Sequence, residues 1–192
     1  ACMDRNVGRV LQQLDDLQLT EHTLVIHTSD HGYNVGHHGI WHKGNATWML
    51  KETPQKQWPH IPAGTRPNMF DTSLRLPTVV RWPGHVRPGA TITHTMTNLD
   101  WFPTLCEIAG ATIPEDTVIR GRSLVPLLKG QDVAWDDDYY GEYNMRVGAK
   151  TAMRCYRTPA WKLMLDFANP GRAELYHLAN DPDETNNLAS ST

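Results

Sequence analysis

The chain lacks several features that would place it in a specialised class of protein. A membrane-spanning helix needs about 18 consecutive apolar residues, and every apolar run in the sequence is much shorter. The sequence also contains no internal repeat or low-complexity tract. Three cysteines among 192 residues are too few and too widely spaced for a disulfide framework or a zinc motif. Because 18 Lys and Arg stand against 21 Asp and Glu, the charge balance gives no reason to expect nucleic acid or an anionic membrane as partner.

What remains is the pattern of a globular α/β protein. Apolar residues recur at helical spacing over 3–17, and the run Leu24-Val25-Ile26 predicts a buried strand directly after that helix. Pro77–Trp82 predicts another strand, and Leu99–Ala109 and Ser123–Leu128 predict helices. A helix followed by a strand is typical of a mainly parallel central sheet.

From about residue 135 the pattern changes to short strands separated by Gly, Pro or Asn turns, which predicts an antiparallel sheet. The predicted strands are Tyr139–Val147, Thr151–Tyr156, Trp161–Phe167 and Glu174–Leu178. A helix from about Pro182 to Ala189 is predicted to close this region, with Asp181 as its N-cap and Glu184 three residues later. We therefore divide the chain into residues 1–134 and a small C-terminal subdomain, residues 135–192.

Residues with the chemistry of a functional site follow the first predicted strand. Asp30-His31-Gly32 lies where that strand ends, and ligands bind at this edge of open α/β sheets. Lys43 comes thirteen positions after Asp30, within a segment that holds three more histidines. Carboxylate and imidazole ligands followed by a fixed cation suit a divalent ion together with an oxyanion ester. Taken alone, Asp30-His31-Gly32 is more typical of a strand end that caps the next turn than of a site.

Five ordered parts of the sequence share one further property, their resemblance to the sulfatase family of the alkaline phosphatase superfamily. They are Asp4–Leu17, Thr23–Lys43, Phe70–Gly84, Asn98–Gly110 with Gly121–Leu128, and Glu174–Leu188. The resemblance implies an α/β fold, in which the chain forms the C-terminal portion of an alkaline-phosphatase-like, mainly parallel sheet with helices. It also implies a small antiparallel C-terminal subdomain.

The resemblance also implies roles for individual residues. Asp30 matches the family's metal-binding carboxylate, and His31 takes a neighbouring ligand position where many relatives have Asn. The metal is expected to be calcium, with magnesium or manganese as alternatives; the imidazole of His31 leaves room for manganese. Lys43 matches the sulfate-binding lysine, and His38 is expected near the substrate, so both are predicted to be catalytic.

The segment 45–69 is longer than the corresponding part of shorter sulfatases. Its Trp48, Lys51 and Arg66 suit a sulfated sugar, because an aromatic face can stack on the ring and cations can pair with sulfates. The alternative is a lid that packs on its own tryptophans. A separate alternative, a zinc site built from His37, His38 and His42, needs a loop to close a tetrahedral shell by itself.

The chain contains no Cys-x-Pro-x-Arg or Ser-x-Pro-x-Arg sequence, the motif whose first residue becomes the formylglycine nucleophile of the family. None of Cys2, Cys106 and Cys155 fits it. We therefore expect a C-terminal part of a longer enzyme, with formylglycine in a missing N-terminal part and no sulfatase activity in this part alone. We also expect self-association or pairing with the missing half, and a periplasmic, secreted or lysosomal location.

The function expected from these residues is hydrolysis of sulfate monoesters, most naturally of a sulfated carbohydrate or another sulfated small molecule. Neither nucleic acid nor membrane is expected as a partner. Two alternatives stay open at this point. One is a phosphonate or phosphate monoester hydrolase of the same superfamily, and the other is a non-catalytic truncated domain.

Overall fold

A computed structural model of the chain describes residues 2–44, 67–146 and 150–189. Within these ranges the helices and strands follow in the order α1 (Cys2–Asp16), β1 (Val25–His27), α2 (Asp71–Leu74), β2 (Val79–Arg81), α3 (Trp101–Ala109), α4 (Val125–Leu128), β3 (Tyr139–Met145), β4 (Thr151–Arg157), β5 (Trp161–Asp166) and β6 (Glu174–His177). No helix in them is long and apolar enough to span a membrane. Short 3-10 turns lie at Thr20–His22, His37–Gly39, Asn98–Asp100 and Pro170–Arg172.

The chain divides into two units whose boundaries differ from the sequence-based division. Unit 1 comprises Ala1–Thr28 and Pro77–Trp135, and unit 2 comprises Ser29–Leu76 and Asp136–Thr192. The described residues 29–44 and 67–76 are therefore grouped with the C-terminal residues. As an assignment of domains, the division at residue 134 stays a prediction.

Unit 1 contains a two-stranded sheet and helices, as the periodicity predicts. β1 and β2 pair antiparallel, with Val25 opposite Arg81 and His27 opposite Val79. The parallel pairing expected from the helix-then-strand order does not hold for these two strands. The core of this unit contains Leu124, Leu127 and Leu128, against which Val80, Val86, Met96, Trp101, Val133 and Trp135 pack.

The ends of α3 show why this segment is helical. The Asp100 carboxylate accepts the backbone N–H of Thr97 at 2.7 Å and that of Arg122 at 2.8 Å, which fixes the turn before the helix. Pro103 falls in the first turn, as predicted, where its missing N–H costs no helical hydrogen bond. The helix ends at Gly110, whose φ of 65° is a conformation that glycine adopts readily.

Unit 2 contains the predicted antiparallel sheet, with its strands in the order β3-β4-β5-β6. Each strand pairs with its neighbour in sequence, so short turns suffice to connect them. The side chains on its buried face form one core with the segment around α2: Ile40, Met69, Phe70, Met153, Cys155, Met164, Tyr176 and Leu178.

The strand β5 buries its polar residues and exposes apolar ones. Trp161 and Leu163 point to the exposed face, whereas Lys162, Met164 and Asp166 are buried. Hydrophobicity alone would orient this strand the other way, because three of its four apolar residues then lie inside. The buried charges explain the observed orientation, since Lys162 forms ion pairs with two carboxylates on the inner side.

The helix predicted for Pro182–Ala189 is wrong, and the region is an irregular turn. Asp181 does accept backbone N–H groups, from Thr185 and Asn186 at 2.9 Å each, but no helix follows. Glu184 has a left-handed φ of 54° and directs its carboxylate into the unit 2 core. Because that carboxylate pairs with Lys162, it is not used in the predicted capping box.

The Asp166 carboxylate joins the end of β5 to the start of β4 and to the following turn. It accepts hydrogen bonds from Thr151 Oγ1, Asn169 Nδ2 and the backbone N–H groups of Ala152 and Ala168, at 2.7–3.0 Å. Desolvation acts most strongly on its pKa and raises it, but these hydrogen bonds together outweigh it, so the pKa lies below the ordinary value.

We expect Asp166→Asn to lower the free energy of unfolding at pH 7 by about 1–3 kcal/mol, because two amide hydrogens then face donors. A folded pKa below the unfolded value of about 3.9 stabilises the fold above that pH, and the contribution is lost as pH falls through the folded pKa. Urea unfolding should therefore show a smaller difference in the free energy of unfolding between wild type and variant at pH 3 than at pH 7. The same difference at both pH values would contradict this explanation. Asp132→Asn, at an exposed carboxylate, serves as control.

Candidate active site

Three side chains of unit 2 converge in space: those of Asp30, His31 and Lys43. Lys43 Nζ lies 3.0 Å from His31 Nε2, and the same ring nitrogen lies 3.3 Å from Asp30 Oδ2. His31 and Lys43 are 12 positions apart, so the chain between them turns back to bring the two groups together. The structure thus joins the two predicted metal ligands to the predicted sulfate-binding lysine, and their roles in binding stay predictions.

The His31 ring has a hydrogen-bond partner at each of its two nitrogens. Its Nδ1 lies 2.6 Å from the carbonyl oxygen of Gly32, which can only accept, so we assign the ring proton to Nδ1. With Nε2 unprotonated, its one lone pair accepts a hydrogen bond from the Lys43 ammonium, so a metal ion could bind Nε2 only in place of that hydrogen bond. A ring nitrogen whose partner nitrogen is held by a carbonyl is the usual arrangement of a metal-binding histidine.

The Asp30 carboxyl is poised to be ionised. Desolvation raises its pKa and is the largest single influence. The hydrogen bond from its own backbone N–H, the charge of His31 when that ring is protonated, the Ser29 hydroxyl and the Lys43 ammonium together outweigh it, so the pKa lies below the ordinary value. The side chain is 81% exposed, so it remains accessible to an incoming ion. The carboxylate oxygens of Asp30 suit calcium, magnesium or manganese, whereas the imidazole of His31 suits manganese better than calcium or magnesium, which prefer oxygen ligands.

Backbone contacts with α2 and with Asn68, which precedes it, hold the two ends of the loop that carries Lys43. The Gly32 N–H donates to the Ser73 carbonyl at 2.9 Å, and a Cβ on Gly32 would lie 2.4 Å from the Thr72 carbonyl oxygen. Only glycine fits so close an approach. At the other end, the Asn68 N–H donates to the Gly44 carbonyl at 2.8 Å. This steric requirement explains the glycine at position 32, for which the sequence alone indicated only a turn.

The structure places His38 inside the core of unit 2. Its side chain is 2% exposed and its ring stacks on Phe70, with 3.9 Å between ring centroids. Packing is therefore its observed role, and its contact with substrate stays a prediction. Across residues 2–44, 67–146 and 150–189, no three His, Cys, Asp or Glu side chains group as a metal site, so the alternative zinc site of His37, His38 and His42 is not formed.

Three predicted substrate-binding residues, Trp48, Lys51 and Arg66, lie outside the described residues. Their contacts with a sugar, and the alternative that they belong to a packed lid, stay predictions. An apolar recess of about 900 Å³ in unit 1, lined in part by Trp82 and Leu124, contains none of the predicted site residues. We therefore base the candidate site on the polar convergence in unit 2.

A buried charged cluster supports α2 and was missed by sequence reasoning. Lys162 Nζ lies 2.9 Å from Asp71 Oδ1 and 2.7 Å from Glu184 Oε1. Arg157 donates from both Nε and a terminal nitrogen to Asp71 at 3.0 Å, and the Glu184 carboxylate also accepts the Asp71 N–H at 2.5 Å. Because Asp71 is the first residue of α2, this cluster fixes the helix that holds Gly32.

The two carboxylates of the cluster respond to burial differently. Desolvation raises the pKa of Asp71, but Lys162 and Arg157 outweigh it and the pKa lies below the ordinary value. Desolvation also raises the pKa of Glu184, and the negative charge of Asp71 raises it further. Because Lys162 but not Arg157 opposes these effects, the pKa of Glu184 lies above the ordinary value. The cluster therefore depends on Lys162, the cation shared by both carboxylates.

Two family models match the chain. The model described as Sulfatase matches residues 1–111, and the model described as N-sulphoglucosamine sulphohydrolase, C-terminal, matches residues 65–192. Between them they span the whole chain, and the first includes Asp30, His31 and Lys43.

Individual proteins are similar over most of the chain. It is 41% identical to the steryl-sulfatase of Rattus norvegicus over 67% of its length, and 28% identical to the N-acetylglucosamine-6-O-sulfatase of Bacteroides thetaiotaomicron over 97%. These matches cover 20% and 30% of the relatives, so the chain spans only about a fifth to a third of their length.

A solved structure shares the fold. It is described as a complex with its substrate D-glucosamine-2-N,6-O-disulfate, and it matches 96% of the chain with a TM-score of 0.78 and 26% identity. The chain covers 33% of that structure. The similarity confirms the predicted α/β fold class with an antiparallel C-terminal sheet.

Proposed function

The chain belongs to the sulfatase family, and from this premise we propose that it supplies metal and sulfate ligands for the hydrolysis of a sulfate monoester. The proposal assigns it no nucleophile, because no Cys-x-Pro-x-Arg or Ser-x-Pro-x-Arg sequence occurs in it. Asp30 and His31 are proposed to bind a divalent cation, with calcium first and magnesium or manganese as alternatives. Lys43 is proposed to bind the sulfuryl group.

The observation that carries this proposal is the convergence of Asp30, His31 and Lys43. An ammonium group 3.0 Å from the imidazole nitrogen places a fixed positive charge beside the proposed metal ligands. A sulfate ester is an anion, so a pocket that binds it must neutralise its oxygens and must hold them in place. A surface lysine without such a neighbour would supply charge but no orientation.

Each residue has a definite task in this scheme. When bound, the divalent ion would supply Lewis-acid stabilisation of the sulfuryl oxygens. Asp30 and His31 would hold it, with the Gly32 carbonyl keeping the His31 ring in one tautomer. Lys43 would donate hydrogen bonds to a sulfuryl oxygen and to the leaving oxygen as negative charge develops there.

A sulfated carbohydrate is the substrate class that the comparisons support best. The N-acetylglucosamine-6-O-sulfatase and the structure named for a disulfated glucosamine match 97% and 96% of the chain, whereas the steryl-sulfatase matches 67%. The carbohydrate enzymes thus align with nearly all of the chain, and the steroid enzyme aligns with about two thirds of it. Trp48, Lys51 and Arg66 are proposed to contact the sugar.

The test is an assay of a protein that contains these 192 residues together with a formylglycine-bearing segment. Glucosamine 6-sulfate, an aryl sulfate and an aryl phosphate are offered separately, and release of sulfate or phosphate is measured. Sulfate release that is highest with the sugar supports the proposal. Preferential release of phosphate would favour the phosphate hydrolase instead, and no release from any substrate would favour a non-catalytic domain.

Asp30→Asn tests the metal assignment separately. An amide is a weaker ligand than a carboxylate, so we expect the apparent affinity for the activating ion to fall by about tenfold or more. Metal binding is measured by calorimetry, and activity is measured over a series of calcium concentrations, where added metal should restore part of it. Asp132→Asn, which changes an exposed carboxylate of unit 1, is the matched control. Unchanged metal affinity in Asp30→Asn would show that Asp30 is not a ligand.

A further inference from the structure

The loop between His31 and Lys43 is organised around one buried side chain, that of Asn34. This side chain is 0% exposed. Its Nδ2 donates to the His42 carbonyl at 2.5 Å and to Ser73 Oγ at 2.9 Å, and its Oδ1 accepts from Thr72 Oγ1 at 2.6 Å. Both the donor and the acceptor group of the amide are therefore used, and all partners belong to unit 2.

These hydrogen bonds act on the neighbours of both site residues. His42 directly precedes Lys43, and Ser73, whose carbonyl accepts the N–H of Gly32, holds the residue after His31. Asn34 thus ties the carbonyl beside Lys43 to the helix turn that fixes His31. A displacement of about 1 Å at a reacting group can lower turnover strongly, so such a tie has a functional consequence.

The conformation of the next residue indicates that the loop is held firmly. Val35 has a φ of 49°, which is rare for a β-branched residue, and it is 59% exposed, so burial of its own side chain does not stabilise this conformation. Strain of this kind persists only where the surrounding contacts determine the backbone. The hydrogen bonds from the Asn34 side chain supply such contacts, as does the hydrogen bond from the Gly36 N–H to the Ile40 carbonyl.

We propose that Asn34 is a positioning residue, which fixes the Lys43 ammonium against His31 by holding the His42 carbonyl. The proposal rests on the function proposed above for Lys43. An asparagine suits the position because it donates twice and accepts with a short, neutral side chain. Aspartate would lose both donors. Alanine would remove this partner from the hydroxyls of Thr72 and Ser73 and would leave the His42 carbonyl with only the longer hydrogen bond from the backbone N–H of residue 34, at 3.2 Å.

A double-mutant cycle in the active enzyme tests the proposal. We expect Asn34→Ala to lower kcat by about 10- to 100-fold with little change in KM. In the Lys43→Ala background the same substitution should change kcat by less than about threefold, because the group that it positions is gone. A merely structural role would instead give the same factor in both backgrounds. Should Asn34→Ala fail to fold, Asn34→Asp enters the same cycle, with the same coupling expected.

The matched control is Asn187→Ala, which also removes an asparagine of unit 2 with three hydrogen bonds. Asn187 accepts the N–H groups of Leu175 and Ala189 at 3.0 Å and donates to the Ala173 carbonyl at 3.1 Å. Its effect on kcat should be the same with and without Lys43. Equal factors for Asn34→Ala in the two backgrounds would overturn the positioning role alone. A Lys43→Ala variant with wild-type kcat would overturn the function proposed for Lys43 and the positioning role with it.

Discussion

Replacing Lys43 with alanine in an active enzyme is expected to lower kcat by about 100- to 1,000-fold, or about 2.7–4 kcal/mol of transition-state stabilisation. Lys43 Nζ lies 3.0 Å from His31 Nε2, so its charge acts where the sulfuryl group is proposed to bind. Negative charge on the leaving oxygen grows toward the transition state, so the loss should fall on kcat more than on KM. Steady-state kinetics with an aryl sulfate and a sulfated glucosamine measure both parameters.

Two further variants make this measurement specific. Lys150→Ala removes an exposed lysine of the same unit and should leave both parameters near wild type. Lys43→Arg keeps the charge but replaces a compact ammonium by a planar group, so we expect only partial recovery of kcat. Wild-type kcat in Lys43→Ala with both substrates would identify Lys43 as a lysine without a catalytic role, and the proposed sulfate site would be wrong.

The second large effect is expected on stability, from Lys162→Met. Lys162 is 0% exposed and is the cation between Asp71 and Glu184. Its removal leaves Arg157 to neutralise Asp71 and no comparable partner for Glu184. Breaking a buried ion pair on one side typically costs about 3–5 kcal/mol, because an uncompensated charge stays buried. Urea unfolding should show a loss of this size at pH 7.

The pH dependence of this loss identifies its cause. The pKa of Glu184 already lies above the ordinary value of about 4.3, and losing Lys162 raises it further. A carboxyl whose folded pKa exceeds its unfolded pKa favours the folded state at low pH, and this stabilisation is lost as pH rises through the folded pKa. The deficit of Lys162→Met should therefore shrink between pH 7 and pH 5.

Charge-balanced and exposed variants serve as the comparison. Lys162→Met combined with Glu184→Gln removes one charge of each sign, so it should recover a large part of the lost stability. Lys129→Met, at an exposed lysine, should lie within about 0.5 kcal/mol of wild type. If the double variant is as unstable as the sum of the single variants, the ion pair is not the source of the effect.

The sequence allowed the elements with strong periodicity to be predicted. The spacing of apolar residues over 3–17 predicts α1, and the alternating short runs after residue 135 predict the four-stranded sheet. Proximity of Asp30, His31 and Lys43 could be predicted because the order of ligand types matches a known chemistry. These inferences need only local patterns or a short range of sequence.

What could not be predicted depends on residues that are distant in sequence. Asp71 meets Lys162 across 91 positions and Glu184 across 113, and no local pattern reports such a pairing. The same distance explains the wrong helix, because the capping pattern at Asp181 and Glu184 is a local signal that a buried ion pair overrides. Asn34 was missed for a similar reason, since its partner Ser73 lies 39 positions away. The only signal in the sequence was Lys162 itself, a charged residue within the otherwise apolar run of β5.

The hydrogen bond between the Asn68 N–H and the Gly44 carbonyl, at 2.8 Å, has an evolutionary consequence. It brings together the two chain ends between which residues 45–67 are inserted. By the general scaling of loop-closure entropy, each doubling of the length of a connection between two fixed ends costs only about 0.6 kcal/mol. Insertions, deletions and substitutions can therefore accumulate between these points while Lys43 and its supports stay unchanged. Changes of sequence between these points could thus alter the residues proposed to contact the sugar, Trp48, Lys51 and Arg66, without rebuilding the proposed metal and sulfate site.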